Sequence, residues 1–257
     1  ILAFLSGALA LDAGDARSAE IPAGEAKLSA LIQVQGFQDN VPGTYAEIRG
    51  RRAELKLSWN VPEKALSGIL MVDPFLNTLI TKDVYVSVKK LRNLEVQAGQ
   101  FKPPQGLEGR WSSGDLDFVE RAAVSSAFGD KRDFGLQVLA PKVALGAASL
   151  DAGAAFVNGS GQNRPEDNDH KDFSGRLGMA FGGLWAGGSA YVGQQPAGPL
   201  RRYGGELRLR HGAFKVQAEF LRGTQDSLPG SRRTWQEGSY ALASGTWMSL
   251  RPGFSWE

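Results

Sequence analysis

The sequence contains no cysteine and only two histidines. The first absence excludes disulfides, thiolate metal sites and cysteine nucleophiles. His170 lies in a charged stretch and His211 beside a glycine, and neither has a serine and a carboxylate at a motif spacing, so no hydrolytic triad is indicated. There is no Walker loop and no GxGxxG; the glycines fall within strand-like segments, where bends and close contacts need them. No apolar run reaches the length of a helical membrane span. Twenty-nine Lys and Arg against 27 Asp and Glu leave a formal charge of only +2, with no basic run, which argues against a nucleic-acid partner. The segment "NRPEDNDHKD" (163–172) is rich in carboxylates, but it lacks the glycine and closing glutamate of the helix–loop–helix calcium site and reads as a solvated outer loop. The sequence thus carries no enzyme constellation, no cofactor site and no metal site.

What is present has a period of two. In "AFKVQAEFL", Phe214, Val216, Ala218 and Phe220 share one face and Lys215, Gln217 and Glu219 the other. "GELRLRH" sets Leu207 and Leu209 against Glu206, Arg208 and Arg210. "AELKLSW" and "DVYVSVKK" repeat the pattern, with Leu55, Leu57 and Trp59 opposing Glu54, Lys56 and Ser58, and Val84, Val86 and Val88 opposing Asp83, Tyr85, Ser87 and Lys89. A helix would scramble these faces. About twelve such strands are expected, near 27–38, 46–59, 65–72, 79–89, 94–102 and 132–140, then 144–157, 171–181, 184–193, 201–210, 213–222 and 234–248.

The connections alternate in length. Even-numbered strands end in tight turns ("NVPEK", "KLRN", "APKV", "GG", "HG", "RPG"), and odd-numbered strands end in longer polar loops. Soluble Greek-key sandwiches rarely keep that rhythm, whereas outer-membrane barrels do. Trp59, Trp185, Phe214 and Trp247 fall at the tight-turn ends, and Phe134, Phe156, Phe173, Tyr191, Tyr203 and Phe220 near the long-loop ends, as two interfacial girdles would require. The fold class expected is therefore all-β, an antiparallel up-and-down transmembrane β-barrel. Ordinary sandwich packing of the same aromatics is the alternative.

Both ends raise separate questions. "ILAFLSGALAL" followed by small and polar residues has the look of a signal-peptide core, without its basic start. Residues 1–20 are expected to be a signal-peptide remnant and 21–257 the barrel domain; a buried strand or short helix is the other reading of the apolar block. After "RPG", "FSWE" looks like the opening of another strand, so the barrel domain is expected to be truncated at its C-terminal side, a closed barrel leaving no free edge in lipid; twelve strands closing imperfectly with a spare tail are the alternative. On the polar faces, Arg52, Lys56, Lys89, Arg176, Arg208, Arg210 and Lys215 accompany Glu54, Asp83, Glu95, Glu206 and Glu219. They form either transverse pairs that stiffen a wet wall or a cationic track that draws anions.

The longest irregular stretch, "GQFKPPQGLEGRWSSGDLDFVER" (99–121), occupies the third long connection. With "RRAELKLS", "MVDP", "DVYVSVKKLRN", "FGDKRDFGLQV", "NGSGQN" and "RRYGGELRLRHGAFKVQAEFLRG", it resembles the phosphate-selective porin family over roughly residues 30–223. The resemblance implies a sixteen-stranded homotrimeric porin in the outer membrane of a Gram-negative bacterium, set in lipid and lipopolysaccharide, with residues 103–131 folded inward as a constriction. It further implies an eyelet in which the arginine pair is Arg51 and Arg52, the acidic residue Asp83, and the loop serines Ser112 and Ser113. Gly109 stands where the family's loop lysine is expected, with Arg110 beside it. The expected function is passive diffusion of small hydrophilic solutes with a preference for anions, phosphate included, without a cofactor. Arg51, Arg52, Lys56, Arg110 and Lys131 would supply the attractive charge. A plugged adhesive barrel and a soluble ligand-binding β-sandwich are the rival readings.

Overall fold

The computed structural model describes residues 24–37, 47–74, 79–91, 93–118, 120–195, 198–224 and 235–245. The apolar N-terminal block, Trp247 and the tail with "FSWE" lie outside the described residues. Twelve strands follow one another: β1 (Glu25–Phe37), β2 (Glu47–Val61), β3 (Leu66–Asp73), β4 (Ile80–Leu91), β5 (Leu94–Phe101) and β6 (Asp133–Leu145), then β7 (Ala148–Val157), β8 (Asp172–Phe181), β9 (Leu184–Gln195), β10 (Gly198–His211), β11 (Phe214–Thr224) and β12 (Trp235–Gly245). Each pairs antiparallel with the next, in the order β1 to β12 of a single sheet. This is the up-and-down arrangement that the alternating loop lengths imply. No helix among the described residues is long and apolar enough to cross a membrane.

The two faces of the sheet are inverted relative to a water-soluble protein. Leu28, Ile32 and Ile48 are 72, 75 and 84% exposed, and Leu136, Val138, Leu177, Met179, Leu207 and Val216 are exposed further along the same face. Glu54, Gln97, Gln137, Arg176, Glu206, Gln217 and Glu219 are buried on the other. An apolar face of this extent is untenable in water and natural against lipid tails.

Tight turns close by placing one residue in the left-handed region: Ala65 between β2 and β3, Asn93 between β4 and β5, and Gly146, Gly182 and Gly212 at the next three, with φ from 49 to 63°. One turn differs from its expected place. "APKV" (140–143) lies inside β6, which continues to Leu145 and turns at Gly146. Pro141 and Lys142 sit at a register shift between Ala140 and Val143. A bulge asks for no ladder bond from the residue it extrudes, so a proline without an N–H is accommodated. Two aromatics also differ from the girdle reading. Trp185 and Tyr191 are buried on the inner face, Arg176 stacking on the indole at 4.4 Å and the Tyr191 hydroxyl donating to Asp172 at 2.8 Å. Phe134, Phe156, Phe173, Tyr203, Phe214 and Phe220 are exposed on the outer face.

The long connection between β5 and β6 shows how far the sheet curls. Ser113 Oγ donates to Glu54 of β2, while Asp117 pairs with Lys215 of β11. Four residues of chain span at most about 14 Å, yet β2 and β11 are nine places apart in the sheet. In a flat sheet they would lie about 43 Å apart at roughly 4.8 Å per strand. The sheet is therefore rolled into a barrel wall with this loop inside it. Among the described residues β1 and β12 do not pair with each other.

Leu177, mid-strand in β8 and exposed outward, gives a direct check on the polarity. Leu177→Arg is expected to destabilise the folded protein in lipid vesicles by about 2–4 kcal/mol, as cationic residues do at the bilayer midplane. Urea titration by tryptophan fluorescence measures it; an unchanged midpoint would mean that this face meets water.

Candidate pore constriction

Sequence places the start of the loop rigidly. Phe101 ends β5 buried against Ala155, Val157, Tyr191 and Leu200, and two prolines then direct the chain away from the ladder. Ser174 donates to the Pro104 carbonyl at 3.1 Å, and the Gly106 amide donates to Ser189 at 3.0 Å. Residues 103–109 are all buried. The Glu219 carboxylate of β11 accepts from the Leu107 amide at 2.8 Å and from Ser125 Oγ at 2.7 Å. A second apolar cluster, Val124, Phe128 and Leu221, fixes the returning arm, which contains a short π-helical turn, Ser125–Gly129.

The two arms are cross-linked by charge. Arg121 donates to the carbonyls of Glu108 and Trp111 and to Asp130 at 3.0 Å. Lys102 donates to the carbonyls of Gly109 (2.7 Å) and Trp111 (3.0 Å) and pairs with Asp130 at 2.6 Å. Burial pushes the Lys102 ammonium down to about 8, against the pull of Asp130. Asp130 is held below the usual carboxylate range: burial opposes this, but Lys102, Arg121 and Arg132 outweigh it. Gly109 packs against Gly129, and a Cβ there would stand 2.3 Å from the Gly129 carbonyl carbon. A lysine at 109 would force the arms apart, which gives the glycine a steric reason.

Between residues 110–113 of the loop and the inner faces of β2 to β6 lies a cavity of about 220 Å³. Five of the residues singled out in the sequence line it: Lys56, Asp83, Arg110, Ser112 and Ser113. Asp83 receives two hydrogen bonds from Arg132, at 2.9 and 3.0 Å. Ser113 is occupied with Glu54, which also pairs with Lys82. Lys56 and Arg110 form no side-chain hydrogen bond or ion pair among the described residues. Burial and the neighbouring Arg176 lower the pKa of Arg110, against the pull of Asp151 and Glu206, which still leaves a guanidinium charged.

Arg51 and Arg52 lie apart from that cavity. Register between β1 and β2 shifts at Gln33/Val34, which leaves Arg51 opposite no partner. The bulge lets two consecutive side chains reach the same carboxylate: Arg51 binds both oxygens of Glu120, and Arg52 reaches it at 3.4 Å. The Glu120 carboxyl is held low chiefly by its bond to Arg51. Lys131 is exposed and does not line the cavity; the adjacent Arg132 does. Lys102, Arg132 and Trp111 were not singled out from the sequence. Arg132 sits beside a chosen lysine, and only the path of the loop decides which of the two faces inward. Some of the inner-face charges pair across strands, as Lys89–Glu95, Arg176–Asp151 and Arg176–Glu206 do, and Lys215 pairs with Asp117 of the loop; these pairs fit the stiffened-wall reading.

An up-and-down sheet with an apolar outer face, rolled around a loop that leaves cations facing a cavity, defines a diffusion porin of the β-barrel class. The family model described as phosphate-selective porin O and P matches residues 56–196, more than half of the chain. The chain belongs to that family. Among curated proteins none matches it. Membership makes it one of a family of channels, not of enzymes, which at family level reside in the outer membrane of Gram-negative bacteria and select phosphate.

Two outcomes are expected at this loop. Raising the pH from 7 to 9 deprotonates Lys102, since its pKa lies near 8, and removes one positive charge beside the cavity. The anion-to-cation permeability ratio in bilayer recordings should therefore fall over that interval, and Lys102→Met should flatten the profile. Glu120→Gln frees two guanidiniums from their shared carboxylate. The anion-to-cation permeability ratio should rise about two- to fourfold at moderate salt, read as a shift in reversal potential.

Proposed function

We propose that the protein is a passive channel for small hydrophilic solutes that prefers anions, phosphate among them. The observation that carries this reading is that two cations, Lys56 and Arg110, line the cavity with no direct ion pair among the described residues, although Arg110 also feels Asp151 and Glu206, which Arg176 binds. All the neighbouring charges are internally satisfied: Lys102 and Arg121 share Asp130, Arg132 holds Asp83, and Lys82 holds Glu54. An anion entering the cavity meets the Lys56 ammonium, the Arg110 guanidinium and the Ser112 hydroxyl, which replaces part of its hydration shell. Binding stays weak because two cations on opposite partners, a strand and a loop, do not enclose the ion. Arg51 and Arg52 with Glu120 form a second, partly exposed cationic station.

In this reading residues 103–131 are the constriction loop of a barrel domain spanning 21–257, and residues 1–20 are a leader that directs export. The outer membrane with its lipopolysaccharide is the setting, and a homotrimer the assembly. Transport down a gradient needs no cofactor.

A planar-bilayer recording of the full-length protein in a salt gradient tests the proposal. The reversal potential should favour chloride, and added phosphate should reduce the current. Arg110→Ala should move the potential toward zero, while Lys131→Ala, exposed and away from the cavity, should move it less. A cation-favouring potential in the unaltered protein would refute the reading.

A further inference from the structure

Charge on the outer wall of β7 to β11 is confined to one place. Among the described residues, the outward positions of these strands hold two charged side chains, Arg201 and Arg222. They lie on adjacent strands, at the ends opposite the tight turn at Gly212. Val192, exposed on the lipid side, pairs with Arg201 on one flank and with exposed Phe173 on the other. Tyr203 follows Arg201 along the same face and stands opposite Arg222. Leu200 and Arg202, the buried neighbours of Arg201, take the inner face, so Arg201 is turned away from any solute in the lumen.

A cation facing lipid is costly at the bilayer midplane and nearly free at the interface. Phe173 and Tyr203 mark the interface level, and the long-loop ends of the strands mark the outer leaflet. The Arg201 backbone amide donates to Thr224 Oγ1 at 3.1 Å, but its side chain forms no hydrogen bond or ion pair among the described residues. Arg222 reaches Glu237 of β12 at 3.4 Å, with its side chain still 43% exposed. Two guanidiniums against one carboxylate leave a net positive charge. Diagonal positions on paired strands lie about 7–8 Å apart, within joint reach of long side chains. A phosphate group suits this pair, because each guanidinium offers a fork of donors to its oxygens. Further along the same face, Val192, Leu207 and Phe220 are exposed and apolar, as acyl chains attached to that phosphate would require.

We infer that Arg201 and Arg222 form a docking site for the phosphate of an outer-leaflet glycolipid, whose acyl chains lie along Val192, Leu207 and Phe220. This rests on the reading of the chain as an outer-membrane barrel and concerns its wall, not its channel.

Native mass spectrometry of the full-length protein in neutral detergent counts the lipid bound. Two probes are titrated in, diphosphoryl lipid A and the same lipid with both phosphates removed. The diphosphoryl form is expected to half-saturate one site per chain at about one tenth of the concentration that the phosphate-free form needs. Arg201→Gln and Arg222→Gln should each raise that concentration about fivefold. Lys142→Gln, at an exposed cation near the tight-turn end of β6, should leave it unchanged. Heat-modifiable gel mobility establishes that each variant is folded, and two separate arginines guard against the loss of either. Equal binding of the two lipids would overturn the proposal, as would unchanged binding in both folded arginine variants or an equal loss in Lys142→Gln. A change of oligomeric state in Arg201→Gln without a change in lipid binding would also overturn it, since a second copy of the chain would then cover this face. The reversal potential in bilayers should be the same in Arg201→Gln as in the unaltered protein, and a cation-favouring value would remove the channel reading alone.

Discussion

Glu54 and Glu219 hold the same loop from strands nine places apart, one through Ser113 and the other through the Leu107 amide and Ser125. Both carboxylates are almost wholly buried, and each would be costly to bury without donors. The loop supplies donors to both, beside Lys82 of β4 at Glu54, and the sheet brings the two acceptors to one loop only when it is rolled. Barrel curvature and loop position are thus one constraint. A wall rolled for lipid on its outside has polar groups facing inward, and a loop with free backbone amides is what satisfies them.

The strand architecture was legible in the sequence because a half-lipid, half-water wall imposes a period of two on every strand. Turn lengths set by opposite surroundings added a second, independent signal. Legibility failed where the period itself failed. The bulge at Arg51 puts two neighbouring arginines on one carboxylate, and alternation would have assigned them to opposite faces. Pro141, a turn signal by composition, sits in a bulge of β6 for the same reason. Trp185 and Tyr191 followed the alternation correctly, but their aromatic character suggested the lipid face. What decides their side is parity with Ser189 and a cation or carboxylate within reach.

The loop was legible as a loop and not as a structure. Resemblance of its residues brought Arg110, Ser112 and Ser113 to attention, and the fold places all three at one cavity with Lys56 and Asp83. Lys102, Arg121 and Asp130 were silent because their role is to join two arms separated by about twenty residues of chain, and no local pattern encodes such a meeting. Gly109 is the exception that local reading noticed without explaining. Its contact with Gly129 shows that the arms cross where neither has a side chain, and that Lys102 brings its ammonium to the Gly109 carbonyl from outside. A cation is therefore present near position 109, although it arrives from another part of the loop and is engaged there by two carbonyls and Asp130.

Selectivity in such a pore depends on charges that are left over, since a paired charge has little field to offer at a distance. Ion pairing serves two ends at once in this barrel. Arg176 between Asp151 and Glu206, or Arg132 on Asp83, fixes wall and loop without biasing the lumen. Each such pair also removes a carboxylate that would repel an anion, so the cations that remain count for more. In the proposed channel Lys56 on a strand and Arg110 on the loop would act from two rigid supports, the loop being held by the same buried carboxylates. A mobile loop would average that field away. The dense internal bonding of residues 102–132 is what would let Lys56 and Arg110 act as a filter in the proposed channel.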